Sequence, residues 1–301
     1  MSSIQVSRLN SLKGHRDAIY TLHAADTPQY FFSAAGDGMV VRWNLDDPEN
    51  GELIARLPNS VYAMHYLPAD DLLVVGHNYE GIHLLDWRNK REQGSLKLSA
   101  AAVFDIQSAD DHLVVGTGDG TVYKIDRGLR VVRQVKSSEK SARTIAINPN
   151  TGEIAVGFSD NYIRVFDRDL GLIREWSAHL NSVFTLRYTP DYRLLLSGSR
   201  DARLKAWDAA DEYRQAGEVI AHMYAINHID FSPDGKHFVT CSMDKSIKVW
   251  DADALKLLKV IDRSRHAGHA TSVNKVLWTS HRDQLLSASD DRSISVWQII
   301  F

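Results

Sequence analysis

Apolar residues recur at every second position in short runs along the whole chain. Seven such runs read MVVRW (39–43), IHLL (82–85), TVYKI (121–125), YIRVF (162–166), RLKAW (203–207), SIKVW (246–250) and SISVW (293–297). Other β-rich runs lie ahead of them, such as LLVVG (72–76), HLVVG (112–116), EIAVG (153–157) and RLLLS (193–197). Alternation of this kind, with many β-branched and aromatic residues, predicts strands, and no useful length of chain carries a helical period. Between the runs lie Asp47-Pro48-Glu49-Asn50-Gly51, Asn148-Pro149-Asn150, Thr189-Pro190-Asp191 and Ser232-Pro233-Asp234-Gly235. Proline presets φ and Gly or Asn tolerates positive φ, so these clusters predict turns.

The runs belong to copies of one unit. Four times a His is followed by a hydroxyl residue 18 positions on, an Asp 22 on and a Trp 28 on: His15/Ser33/Asp37/Trp43, His179/Ser197/Asp201/Trp207, His222/Thr240/Asp244/Trp250 and His269/Ser287/Asp291/Trp297. A turn acid can be followed through Asp37, Glu80, Asp119, Asp160, Asp201, Asp244 and Asp291, with spacings from 39 to 47 residues. This implies seven repeats of about four strands each. The second to fourth repeats have no His in the matching loop, and Leu85, Ile125 and Phe166 stand in place of Trp. Val115 and Val156 replace the hydroxyl in the third and fourth. These three repeats are expected to rely on apolar packing alone.

Gly14-His15 … Trp43-Asn44, Ala178-His179 … Trp207-Asp208, Ala221-His222 … Trp250-Asp251 and Gly268-His269 … Trp297-Gln298 resemble the Gly-His to Trp-Asp units of the WD-repeat family. The resemblance covers essentially the whole chain. It implies one domain over 1–301, an all-β, seven-bladed β-propeller with four antiparallel strands per blade. The expected repeats are 10–57, 58–98, 99–137, 138–176, 177–220, 221–262 and 263–301. The last repeat ends right after its third strand, so residues 1–9 are expected to supply its missing outer strand and close the ring. The resemblance also makes the His/Ser/Asp/Trp sets buried hydrogen-bond chains of the scaffold. A Ser-His-Asp catalytic reading needs one trio beside a cleft, and four copies argue against it.

Composition narrows the function classes. The 301 residues are 44% hydrophobic and 24% charged, with a net charge of −3. That balance gives no support for a nucleic-acid or anionic-membrane surface, where a clear basic excess is expected. One cysteine, Cys241, excludes an internal disulfide, and no run approaches the ~20 apolar residues of a membrane span. Met1–Asn10 lacks the apolar core of a signal peptide, so a cytoplasmic location is expected. Gly116-Thr117-Gly118-Asp119-Gly120 joins two strands and precedes no helix, which argues against a phosphate loop. Arg263-Ser264-Arg265-His266 reads as an enlarged basic loop. His266 and His269 are three apart with no third ligand, so neither a metal nor a cofactor is expected.

A candidate site follows from aligning the units. The residue opening each innermost strand is Tyr20, Tyr62, Phe104, Arg143, Phe184, Asn227 or Asn274, and it should point over the mouth of the central channel. Two positions earlier stand only small residues: Ala18, Ser60, Ala102, Ser141, Ser182, Ala225 and Ser272. Tyr79, Arg200 and Met243, read as preceding turn acids, join the same rim. Aromatic residues, Arg and Met anchor interfaces, so Tyr20, Tyr62, Tyr79, Phe104, Arg143, Phe184, Arg200 and Met243 form the expected surface for a protein or peptide partner. The implied function is a non-catalytic interaction scaffold, working as a subunit of a larger assembly. Two alternatives compete with it: a propeller hydrolase or lyase with its site in the channel mouth, and a nucleic-acid binder stacking bases around Arg143 and Arg200.

Overall fold

The computed structural model describes residues 4–301. It contains seven antiparallel four-stranded sheets, the blades of a β-propeller, with strands β1 to β28 numbered in chain order. The innermost strands are β2 (Ile19–Ala24), β6 (Val61–Leu67), β10 (Val103–Ala109), β14 (Ala142–Ile147), β18 (Val183–Tyr188), β22 (Ile226–Phe231) and β26 (Val273–Trp278). Each packs beside the next, and β26 returns to β2. Seven apolar clusters occupy the seams: Phe32 and Val40 of the first blade meet Met64 and Leu73 of the second, and Cys241 and Val249 of the sixth meet Val276 and Leu285 of the seventh. Cys241 is buried there, and burial pushes its thiol well up, so it is inert. No helix among the described residues is long and apolar enough to cross a membrane.

The ring closes as the repeat count demands. Strand β1 (Gln5–Lys13) pairs antiparallel with β28 (Ser293–Ile300), from Gln5↔Ile300 to Lys13↔Ser293, with a bulge between Arg8 and Asn10. The closing strand therefore runs four residues past the expected limit of residue 9. Met1–Ser3 of the expected segment lie outside the described residues. Two local expectations are corrected. Residues 47–51 are not a turn: β5 (Asp47–Arg56) begins there, and β4 (Met39–Asn44) reaches it through a tight turn at Leu45-Asp46. β5 is an outer edge strand, where proline costs no ladder hydrogen bond, so Pro48 is tolerated. Arg263–His266 is a single helical turn, capped by the Asp262 carboxylate accepting from the Arg265 amide.

The repeated polar sets form hydrogen-bond chains. In the fifth blade Trp207 Nε1 donates to Ser197 Oγ at 2.8 Å, His179 Nε2 meets the same hydroxyl at 2.8 Å, and His179 Nδ1 lies 3.1 Å from Asp201. The Leu180 and Arg203 amides donate to Asp201 as well, which ties the loop before β18 to the turn after β19 (Leu194–Ser199). The first, sixth and seventh blades repeat the pattern.

The other three blades are not held by apolar packing alone. In the fourth, Ser138 Oγ donates to Asp160 at 2.7 Å across the same 22-residue offset that separates His from Asp elsewhere, and Arg164 closes the pair from the strand. In the third, Thr117 Oγ1 donates to Asp119. The second departs furthest. Its register, Gly76↔Ile82 and His77↔Gly81, matches Gly116↔Val122 in the third blade, which puts Tyr79 and not Glu80 at the turn-acid position. The amide that bonds back to the loop carbonyl confirms this: Asn78 donates to Ser60 as Gly118 donates to Ala102.

The chains also set the response to acid. Burial holds His179 and His222 below the ordinary imidazole value, outweighing their carboxylate partners. Burial pushes Asp201 and Asp244 up, but the histidine and amide donors more than offset it and hold both well below the usual carboxylate range. A depressed imidazole contributes stability above its unfolded value of about 6.5, and a depressed carboxylate above about 4; both contributions fade as pH falls. Thermal melts should therefore show stability lost on acidification from about pH 6.5 downward. Asp201→Ala should cost about 1–3 kcal/mol through the partners it strands, measured by urea unfolding. Deleting residues 1–9 bares the edge of β28 from Trp297 to Ile300 and should lower the melting temperature sharply; an unchanged cooperative melt would refute closure by this strand.

Candidate interaction face

All seven residues aligned at the start of the inner strands line one open cavity of about 490 Å³ at the channel mouth. Each is half-buried. They form an arc rather than a symmetric plug. Tyr20 packs on Tyr62 with centroids 4.6 Å apart, and Tyr62 on Phe104 at 5.6 Å. The Arg143 guanidinium then bridges Phe104 and Phe184, at 4.2 and 4.9 Å from their centroids. Burial, then Tyr62 and the nearby Asp17 and Asp290, raise the Tyr20 hydroxyl to about 12. On the remaining side Asn227 donates to Val273 O at 2.8 Å, and Asn274 to Ile19 O and Asp290. These two amides are spent locking neighbouring blades together. The small residues two positions earlier have a structural reason: Ser60, Ser141 and Ser182 each donate to a backbone carbonyl of the preceding blade's turn.

The sequence reading missed the tier just below the mouth. Asp105, His228 and Lys275, each one residue past an aligned position, also line the cavity, with Gln107 and Arg187 beside them. Asp105 is pushed up by burial, with Lys275 pulling the other way, and its oxygens accept from the Ile106 and Ile145 amides and the Gln107 side chain. That carboxylate accepts three hydrogen bonds. Lys275 is held down by burial and makes no hydrogen bond or ion pair among the described residues. Arg187 is engaged by Asp230 at 3.0 Å. Arg143, whose Nε donates to Ser159 Oγ at 3.3 Å, and Lys275 are thus the cations facing the cavity that have no carboxylate partner among the described residues.

The rim adds a second group. Leu180, Met223, Tyr224 and Met243 are 78, 82, 62 and 50% exposed. Leu180 and Met223 immediately follow the histidines of the fifth and sixth blades, and their amides cap Asp201 and Asp244, so the side chains are held outward. Only Met243 of the four was expected; the signal overlooked is an apolar residue where the first blade has Arg16. Arg200 is exposed on the same rim. Tyr79 is 59% exposed, but it stands at the turn-acid position of the second blade, on the side of the ring away from Met223.

The family profile described as WD domain, G-beta repeat matches residues 6–44, 171–208, 214–251 and 261–298, about half of the chain. Each matched segment ends one residue beyond Trp43, Trp207, Trp250 or Trp297, in the blades with complete hydrogen-bond chains. No curated protein sequence matches. Among solved structures, the crystal structure of the WD40 β-propeller domain of Doa1 is similar in fold, with a TM-score of 0.87, 97% of each chain covered and 19% identity. Four profile matches and a closed seven-blade ring lead to one conclusion: the chain belongs to the WD-repeat family.

Proposed function

We propose that the protein is a non-catalytic scaffold that holds a peptide or loop of a protein partner on this face. Apolar side chains of the partner would cover Leu180, Met223, Tyr224 and Met243, and an acidic group would enter the mouth towards Arg143 and Lys275. One observation carries the proposal: four large apolar side chains stand in solvent on two adjacent blades, at the rim of a cavity whose free charges are both positive. Exposed apolar groupings of this kind mark interaction sites. Burying an unpaired cation is costly, and a partner carboxylate would relieve that cost. The hydrolase and lyase alternative has less support, because Asp105, the carboxylate lining the mouth, already accepts three hydrogen bonds, two of them from backbone amides. A cytoplasmic setting is part of this proposal, since a lone buried cysteine suits a reducing compartment.

Affinity capture from native lysate tests the proposal. The double substitution Leu180→Glu with Met223→Glu should leave the melting temperature nearly unchanged, because both side chains are in solvent, and should abolish capture of the main partner. Lys275→Met should weaken capture at least about tenfold. Capture at wild-type strength by both variants would end this reading.

A further inference from the structure

The second blade carries a cluster that the candidate face does not use. Its turn has Tyr79 where other blades have the capping Asp, and Val75 where the four complete blades have the hydroxyl. His83 pairs directly with Val75 across the strands β7 (Leu72–His77) and β8 (Gly81–Asp86), and His77 lies two residues beyond Val75. Both rings therefore project to the face where complete blades seat their leading-loop histidine. His77 Nε2 and His83 Nε2 are 2.7 Å apart, and Glu80 Oε2 lies 3.6 Å from His77 Nε2. All three ligand atoms fall within 4.8 Å of one another.

From this geometry we propose that His77 Nε2, His83 Nε2 and a Glu80 carboxylate oxygen form a site for a divalent transition-metal ion of the zinc type. Two imidazoles and one carboxylate are a ligand set for zinc, and the fourth position is open on the solvent side, where the Glu80 side chain is 52% exposed. Zinc–nitrogen bonds of about 2.0–2.1 Å in a tetrahedral site put two ligand nitrogens about 3.3 Å apart, so the rings need only a small opening to admit the ion. The hydrogen bonding of the rings favours the same reading. Nδ1 of each is buried without a hydrogen-bond partner. Glu92 Oε2 lies 3.3 Å from His83 Nδ1, off the hydrogen-bonding direction. Once Nε2 binds metal, Nδ1 carries the proton, and a small rotation of His83 aims that N–H at Glu92, the carboxylate–histidine–metal arrangement that orients ligands. The bound ion would tie a turn that lacks its Asp to both of its strands.

Metal-stripped full-length protein should be titrated with Zn²⁺ by calorimetry and with Co²⁺ by visible absorption. The site predicts one equivalent bound and the intense visible band of four-coordinate cobalt. Glu80→Gln and His83→Gln, chosen because both side chains reach solvent, should keep the β-sheet circular dichroism and weaken binding at least about tenfold. A pale octahedral cobalt spectrum, absence of stoichiometric uptake, or wild-type affinity in both variants would overturn the assignment. The cobalt spectrum of the wild-type chain decides the matter even if a variant fails to fold.

Discussion

Closure of the ring is the constraint from which the rest follows. A single four-stranded blade has two apolar faces and cannot bury either alone. Each seam is a core shared by two blades, so seven blades leave no bare face only if the last meets the first. The pairing of β1 with β28 fastens that seam with a strand from the opposite end of the chain. Leu12 on that strand packs with Phe31 and Trp43 of the first blade and Ile294 and Val296 of the seventh, so the join is apolar as well as hydrogen-bonded.

A closed ring fixes where function can sit. The outer strands spend their polar groups on solvent, and the inner strands converge on a central channel with an open mouth. The first tier of that channel became an arc of rings around Arg143, and the tier beneath it took ionisable groups. Burial depresses His23 to about 4 and His65 to about 3, and the two rings meet edge to face with centroids 5.1 Å apart. Asp105 and Asp230 are committed to backbone amides and neighbouring side chains. Lys275 has no hydrogen-bond or ion-pair partner among the described residues, a cost that an acidic ligand at the open mouth can offset.

Much of this was legible in the sequence, for a physical reason. The His, hydroxyl, Asp and Trp offsets are constant because a buried four-member hydrogen-bond chain allows no slack in the loops between its members, and that constancy disclosed both repeat and fold. Where the chain is rebuilt from other residues, the reading lost its guide. Ser138 does the work of the leading-loop histidine at the same offset from Asp160, but serine is too common in loops to stand out. In the second blade Glu80 was the nearest acid, although the six-residue spacing from Asp37 to Trp43 points from Leu85 back to Tyr79. Pro48 and Gly51 read as a turn because composition cannot tell an edge strand from a loop. Asp105, His228 and Lys275 were invisible because a polar residue facing a channel and one facing bulk solvent leave the same mark in an alternating pattern. The cross-strand meeting of His77 and His83 depends on register, which spacing along the chain does not display.

The central claim is that the rim carrying Leu180, Met223, Tyr224 and Met243, with the channel mouth beside it, is the seat of a macromolecular partner. Hydrogen–deuterium exchange of the captured complex against the free protein tests it most directly. The account predicts new protection at the loops around residues 180, 223–224 and 243 and at the first residues of the inner strands, with the outer strands unchanged. Protection confined to the outer strands or the opposite rim would contradict it.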